Sequence, residues 1–233
     1  MTKVSDVDGQ LSTFLHASVV FEYMEADAPQ SVLLPEERAA IMGAAPLRIA
    51  EYASVRACAR RALGRLGYPA GPIVPGKYRE PQWPQGIVGS LTHCEGYRAA
   101  AVARKSEVLA IGIDAELNKP LPEGVTEMVT VGAESQMLAH LFEIEPTIAW
   151  DRLLFSAKES IYKAWFPLSG IWLDFKECEL TIHVPSRTFI GKVLIPGVKT
   201  DAGILVGFNG TWTIYHRWIV TAVWDPIFHA PAP

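Results

Sequence analysis

Apolar and polar positions along the chain repeat with two periods, and each period marks a different kind of element. A short apolar run at Ala17–Phe21 predicts an early strand. Pro35-Glu36-Glu37 has the proline and acids of a helix start, and the spacing predicts a helix to about Gly43. A second helix opens near Pro46 and runs to Leu66, with Gly67 and Pro69 behind it. Leu47, Ala50, Ala53, Ala57, Leu63 and Leu66 form its packing side, while Arg48, Tyr52, Arg56 and Arg60 recur every four residues along one edge. Pro69 to Gly86 is rich in proline and glycine and reads as an irregular loop. Ile87–His93 and Tyr97–Ala103 then read as a hairpin around Cys94-Glu95-Gly96, and Val108–Glu116 as a strand completing a small sheet with it. From Thr147 to Trp165 the period is helical, with Thr147 as the expected N-cap and Pro167 just past the end. Beyond residue 177, Leu180/Ile182/Val184, Val193/Ile195 and Ile214/Ile219/Val220 predict antiparallel strands packed on that helix.

Two breaks in this pattern carry chemistry. In Gly112-Ile113-Asp114-Ala115-Glu116, strand alternation puts both carboxylates on one face and Ile111, Ile113 and Ala115 on the other. Two carboxylates on an apolar strand are costly unless neutralised, and a divalent cation with phosphate oxygens does that. The residues leave a second reading open, a strand end with both carboxylates solvated. On the long helix, Phe155, Ser156, Glu159 and Lys163 share a face. Lys158-Glu159 with Lys163 is either an exposed ion-pair ladder or, beside Phe155, Ile161 and Tyr162, part of a half-buried one.

Composition narrows the class. With 233 residues, 49% hydrophobic and 20% charged, the chain makes one large or two small globular domains. No apolar run is long enough to span a bilayer, and Met1–Gln10 is polar and acidic rather than signal-like, so a cytoplasmic protein is expected. Cys58, Cys94 and Cys178 lack metal-site or disulfide spacing, and the six histidines show no paired ligand spacing. A net charge of −4 argues against nucleic acid as partner. The charge is uneven, however: Leu47 to Arg79 holds seven Lys or Arg and one acid, Glu51, which suits an anionic ligand or partner.

Three stretches taken together, Gly89-Ser90-Leu91-Thr92-His93, Gly112 to Glu116, and Phe155-Ser156-Ala157-Lys158-Glu159-Ser160-Ile161-Tyr162-Lys163, resemble the 4'-phosphopantetheinyl transferases. The resemblance spans about Arg48 to Trp172 and is to the larger single-chain type, the actinobacterial members in particular. It implies an α+β fold of two similar α/β halves related by pseudo-twofold symmetry, here 1–116 and 117–233, with the active site between them. It implies Mg2+-dependent transfer of phosphopantetheine from coenzyme A to a serine of an acyl or peptidyl carrier protein, releasing adenosine 3',5'-bisphosphate. Asp114 and Glu116 would be metal ligands, and Glu159 a third ligand or the general base. Mg2+ is the implied cation and Mn2+ its alternative, and the chain would act as a monomer away from membranes and nucleic acid.

The same resemblance makes Asp114, Glu159 and Lys163 the catalytic set. For coenzyme A it implies Lys158 and Lys163 at the phosphates, His93 with Thr92 at the 3'-phosphate, Arg48 and Arg56 at the adenosine phosphates, and Ser90 among the binding residues. Phe155, Tyr162 and Trp172 would line the pantetheine channel. One departure stands out: the loop Gly76-Lys77-Tyr78-Arg79-Glu80-Pro81 has Glu80 where the family commonly has a basic residue, so Lys77 or Arg79 would supply the charge. Arg48–Arg65 is expected to help dock an acidic carrier protein. A Mg2+-dependent coenzyme A or nucleotide pyrophosphatase, using water as nucleophile, is the alternative enzyme. A non-catalytic coenzyme A-binding module is the alternative without chemistry.

Overall fold

The computed structural model describes residues 14–200 and 203–229; the acidic N-terminal stretch Met1–Gln10 lies outside them. Helix α1 (Pro35–Ala40) begins at the predicted proline and is shorter than expected. Its first turn is closed by Glu37, whose carboxylate accepts from the Leu34 N–H at 3.0 Å. Helix α2 (Pro46–Arg65) has the expected span, and Gly67 behind it takes the left-handed φ of 81° that ends a helix without strain.

Strands β1 (Val20–Met24), β2 (Ile87–Cys94) and β3 (Tyr97–Arg104) form an antiparallel sheet in the order β1-β3-β2. β1 starts three residues later than the apolar run suggested, because its register against β3 runs from Val20–Val102 to Met24–Arg98. α2 packs on this sheet through Cys58, Ala59, Ala62 and Leu63 against Ala100 and Val102.

The strand expected to complete that sheet leaves it. β4 (Gly112–Leu117) pairs antiparallel with β9 (Trp218–His229), from Gly112–Val223 to Leu117–Trp218. It becomes the edge of a second sheet, β4-β9-β8-β6-β5, built with β5 (Cys178–His183), β6 (Thr188–Val193) and β8 (Gly203–Tyr215), with β7 (Val198–Thr200) paired to β8. Val184 and Ile195 fall just outside the strands expected to hold them. The two sheets meet where β2 runs beside β4. There the Ser90 Oγ accepts from the Ile113 N–H at 3.0 Å and the Thr92 Oγ1 from the Ala115 N–H at 3.1 Å. Side-chain hydroxyls thus replace backbone carbonyls as partners for donors that burial obliges the strand to satisfy.

After the short helices α3 (Val125–Val129) and α4 (Glu134–Ile144), α5 (Trp150–Ser169) lies across the second sheet. Leu153, Leu154, Ala157, Ile161 and Trp165 bury against Phe189, Phe208, Ile219 and Val223. Thr147 is not its cap. Asn118 does that work from the β4 side, accepting from the Ala149 N–H at 2.8 Å and donating to the Thr147 carbonyl at 3.0 Å. Pro167 lies inside the last turn, and the helix stops at Gly170 (φ 66°) instead. Pro167 has no N–H to give the Lys163 carbonyl, so the last turn lacks that i→i−4 bond.

α5 and β4 touch at Gly112, where a Cβ would stand 1.8 Å from the Ser160 carbonyl oxygen. Gly112→Ala must push helix from strand, and it is expected to lower stability by about 1–3 kcal/mol. An unchanged urea midpoint would refute this.

Candidate active site

One stripe of α5 faces the carboxylate face of β4. Asp114, 5% exposed, is held from both elements. Its Oδ1 accepts from Lys163 Nζ at 2.7 Å and Thr92 Oγ1 at 3.1 Å, and its Oδ2 from Ser156 Oγ at 2.8 Å. Lys163 Nζ also donates to the Ile113 carbonyl at 3.1 Å. Two residues along β4, Glu116 is half-buried and accepts from Arg152 at 3.1 Å. Alternation on the strand and four- and seven-residue steps on the helix together produce this register.

The electrostatics mark these carboxylates as a set. Burial pushes the Glu116 carboxyl up to about 7, and the Asp114 charge adds to it against the pull of Arg152 and Lys163. Glu159, half-buried on the same side of α5, is raised by burial; Lys163 opposes the rise and Asp114 adds to it. Two half-buried carboxyls, each raised by burial and further by the same neighbouring carboxylate, invite a cation. Among the described residues no three His, Cys, Asp or Glu gather closely enough to enclose a metal. The donor set therefore fits a cation that takes one or two carboxylates and completes its shell with water and phosphate oxygens, as Mg2+ does.

Beside this cluster opens a cleft of about 1040 Å³, walled by α2, β2, the 75–83 loop and the second half of α5. Arg48, Arg56, Arg79, His93, Asp114 and Lys163 all line it. The buried Arg56 guanidinium donates from Nε to the Ile73 carbonyl at 3.1 Å and lies 3.3 Å over the Tyr52 ring; burial lowers it to about 10, which still leaves it charged. Arg48 touches the Nε2 of His93 and bonds to Glu51 at 3.3 Å. Burial pushes the His93 imidazole below its usual range, with Glu51 opposing and Arg48 and Lys163 reinforcing the shift. A neutral ring accepts from Arg48.

The family model described as the 4'-phosphopantetheinyl transferase N-terminal domain matches residues 36–103, and that of the 4'-phosphopantetheinyl transferase superfamily matches residues 110–201. The chain is 48% identical over 216 residues to the 4'-phosphopantetheinyl transferase Svp of Streptomyces mobaraensis, covering 91% of this chain and 88% of the relative. It is 37% identical over 227 residues to the 4'-phosphopantetheinyl transferase PptT of Mycobacterium tuberculosis (96% and 99% covered). It is 42% identical over 197 residues to the 4'-phosphopantetheinyl transferase Npt of Nocardia iowensis (81% and 87% covered). The chain belongs to the 4'-phosphopantetheinyl transferase family. The resemblance seen in its motifs, including the likeness to actinobacterial members, is borne out.

Several residues assigned by resemblance take other positions in this transferase. Lys158 does not line the cleft but borders the smaller cavity beside it, and its buried ammonium donates to the Val129 carbonyl, Glu134 Oε2 and the Phe175 carbonyl at 2.7, 2.7 and 2.8 Å. All three protons are used, so none is left for a coenzyme A phosphate. Ser90 and Thr92 line the cleft, but their hydroxyls stitch β4 to β2. The basic edge of α2 meets the chain's own acids: Arg60 pairs with Glu37 at 2.7 Å, and Arg61 and Arg65 with Glu22 at 3.2 and 2.8 Å. The positive surface expected to dock a carrier protein is thereby paired in part, with Arg61 and Arg65 sharing the one carboxylate of Glu22.

The irregular loop explains its departure from the family pattern. Glu80 is its internal brace, accepting from the Tyr78 N–H at 2.8 Å and Gln82 Nε2 at 3.0 Å. Arg79, in a left-handed conformation (φ 70°), borders the cleft, whereas exposed Lys77 lies 5.1 Å over the Tyr78 ring. Between Lys77 and Arg79, it is Arg79 that reaches the cleft.

Tyr162 divides the cleft from a smaller cavity of about 180 Å³ bordered by Glu159, Trp172 and Phe175. Of the three expected channel aromatics, Tyr162 packs on Trp172 at 4.8 Å at this cavity, while Phe155 stacks on Phe175 at 5.2 Å. Sequence reasoning missed Lys105, which lines the cleft from the turn after β3, and Arg152. Lys105 carries no periodic signal, being in a turn. Arg152 did carry one, since it continues the stripe of Ser156 and Lys163 by four residues.

Proposed function

We propose that the protein transfers 4'-phosphopantetheine from coenzyme A to a serine of an apo acyl or peptidyl carrier protein, releasing adenosine 3',5'-bisphosphate. The observation that carries this reading is that Asp114, held by Lys163, lies in a cleft lined with cationic side chains and large enough for a dinucleotide-sized ligand, with Glu116 two residues along the same strand and Glu159 bordering the smaller cavity next to it. Residues 1–116 would supply most of the phosphate-binding wall and the β4 carboxylates, and residues 117–233 the helix opposite, so a single chain completes the site. A cytoplasmic monomer fits this, and among the described residues no helix is long and apolar enough to cross a membrane.

Asp114 and Glu116, with Glu159 as third ligand or base, would hold Mg2+ (Mn2+ as an alternative), which when bound neutralises charge on the pyrophosphate oxygens. The serine oxygen bonds to the β-phosphorus, the bond from that phosphorus to the bridging oxygen breaks, and the bisphosphate leaves with the bridging oxygen. The serine proton passes to Glu159, directly or through water; a carboxyl raised by burial is a better base near neutral pH than an ordinary glutamate. Lys163 sits on Asp114 within reach of the cleft and would stabilise charge on the pyrophosphate. Arg48, Arg56, Arg79 and His93 would take the remaining phosphates, with Lys77 at the rim, and the pantetheine arm would run along Tyr162, Trp172 and Phe155.

Intact mass of an apo carrier protein after incubation with the protein, coenzyme A and Mg2+ tests the reading. A gain of one phosphopantetheine is expected, absent with EDTA or with Glu159→Ala. Coenzyme A consumed with no gain on any carrier would instead indicate the pyrophosphatase.

A phosphate placed beside His93 favours the imidazolium, so coenzyme A binding takes up a proton. The free ring titrates below its usual value and the liganded ring above the free one. Affinity for coenzyme A therefore rises as pH falls through the liganded pKa and levels off below the free one. Calorimetry between about pH 8 and pH 5.5 checks this around the usual imidazole range. His93→Asn or 3'-dephospho-coenzyme A should flatten the dependence, and a slope that persists in both would sink the assignment.

A further inference from the structure

Arg152 stands at the end of the α5 stripe, one turn before Ser156, and is about 20% exposed. Its guanidinium reaches three oxygens of one short segment: Nη1 donates to Glu116 Oε2 at 3.1 Å, Nε to the Lys119 carbonyl at 3.2 Å, and Nη2 to the Pro120 carbonyl at 3.1 Å. The same segment is fastened to the start of α5 twice more, by Asn118 at the Ala149 N–H and by Asp151, which accepts from the Leu121 N–H at 2.9 Å. The guanidinium is thus clamped by two backbone carbonyls and cannot follow the carboxylate if that swings away. It spends one donor on a single oxygen of Glu116. Among the described residues, Oε1 receives no hydrogen bond.

We propose that Arg152 is a positioning residue of the transfer site, which fixes Glu116 by one oxygen and leaves the other for the cation. This rests on the reading of Asp114 and Glu116 as cation ligands. The physical need is plain, because Asp114 lies on the same strand face and repels Glu116, and an untethered glutamate would relieve that repulsion by turning to water. A rigid fork with its remaining donors on backbone suits this task in a way that an ammonium point charge does not. The outer partners of metal-bound side chains typically govern affinity rather than supply ligands.

The test is a double-mutant cycle on the full chain, reading Mn2+ binding in the presence of coenzyme A by the electron paramagnetic resonance signal of free Mn2+. Arg152→Ala is expected to weaken Mn2+ binding about ten-fold or more. In an Glu116→Ala background the same substitution should change it by less than about two-fold, because the carboxylate it positions is gone. Arg152→Lys, which keeps the charge and loses the fork, should fall between and decides the matter if Arg152→Ala does not fold. Mn2+ affinity that is unchanged or tighter in both Arg152 variants overturns the proposal, as does a loss of equal size with and without Glu116. Wild-type protein that transfers phosphopantetheine while the Arg152 variants bind Mn2+ normally refutes this inference alone. Wild-type protein that neither binds Mn2+ nor modifies a carrier protein refutes the transfer reading and this inference with it.

Discussion

Asp114→Asn is expected to leave the protein folded and to slow carrier-protein modification by about 10²–10³-fold, the usual loss when one preorganised charged group leaves a transfer site. The amide is nearly the same size. Its oxygen can still accept from Lys163 and Thr92, and its NH2 can donate to Ser156 Oγ, so the contacts between β4 and α5 survive. What disappears is a negative charge at the centre of the cluster. A cation ligand is lost, Lys163 loses its counter-ion, and Glu116 and Glu159 lose the neighbour that helps raise them. The acid limb of the pH–rate profile should therefore move to lower pH along with the fall in rate. Initial rates by intact mass, beside a thermal melt, check both. A rate within about three-fold of wild type at matched stability would remove Asp114 from the chemistry.

Lys158→Met should do the reverse, damaging the fold and sparing coenzyme A affinity. The Lys158 and Glu134 side chains are 2% and 0% exposed, and breaking a buried pair by removing one partner typically costs about 3–5 kcal/mol. Burial lowers the lysine and raises the glutamate, so each depends on the other to stay charged. Glu134 would keep the N–H groups of Val131 and Leu180, both at 2.7 Å, but the carbonyls of Val129 and Phe175 would lose their shared donor. α4, the segment before β5 and α5 are all joined at that ammonium. Urea denaturation should show the loss, with calorimetric affinity for coenzyme A, measured well below the midpoint, within about two-fold of wild type. A small stability change with a large loss of affinity would restore Lys158 to the ligand.

The contrast between these two residues shows what can be read from a sequence. Asp114 and Glu116 share a face because strand side chains alternate, and Ser156 and Lys163 share one because a helix turns every 3.6 residues. Both are local rules, and both held. The motif order was equally legible, and it pointed to the family that the relatives share. Lys158 differs from Lys163 by five positions, and spacing alone did not say which would meet solvent and which a buried glutamate. That depended on Glu134, 24 residues away, arriving beneath it.

Local periodicity thus determined the helices α1, α2 and α5, the β2–β3 hairpin and the carboxylate face of β4, since each depends on neighbours a few residues off. Tertiary structure alone decided that β4 joins β9, that Asn118 rather than Thr147 caps α5, and that Glu37 pairs with Arg60 and Glu22 with Arg61 and Arg65. It also decided that Arg152 grips Glu116. Each of these is a pairing of a donor or charge with a partner distant in the chain, and a buried polar group takes whichever partner the packing of apolar surfaces brings within 3 Å or so.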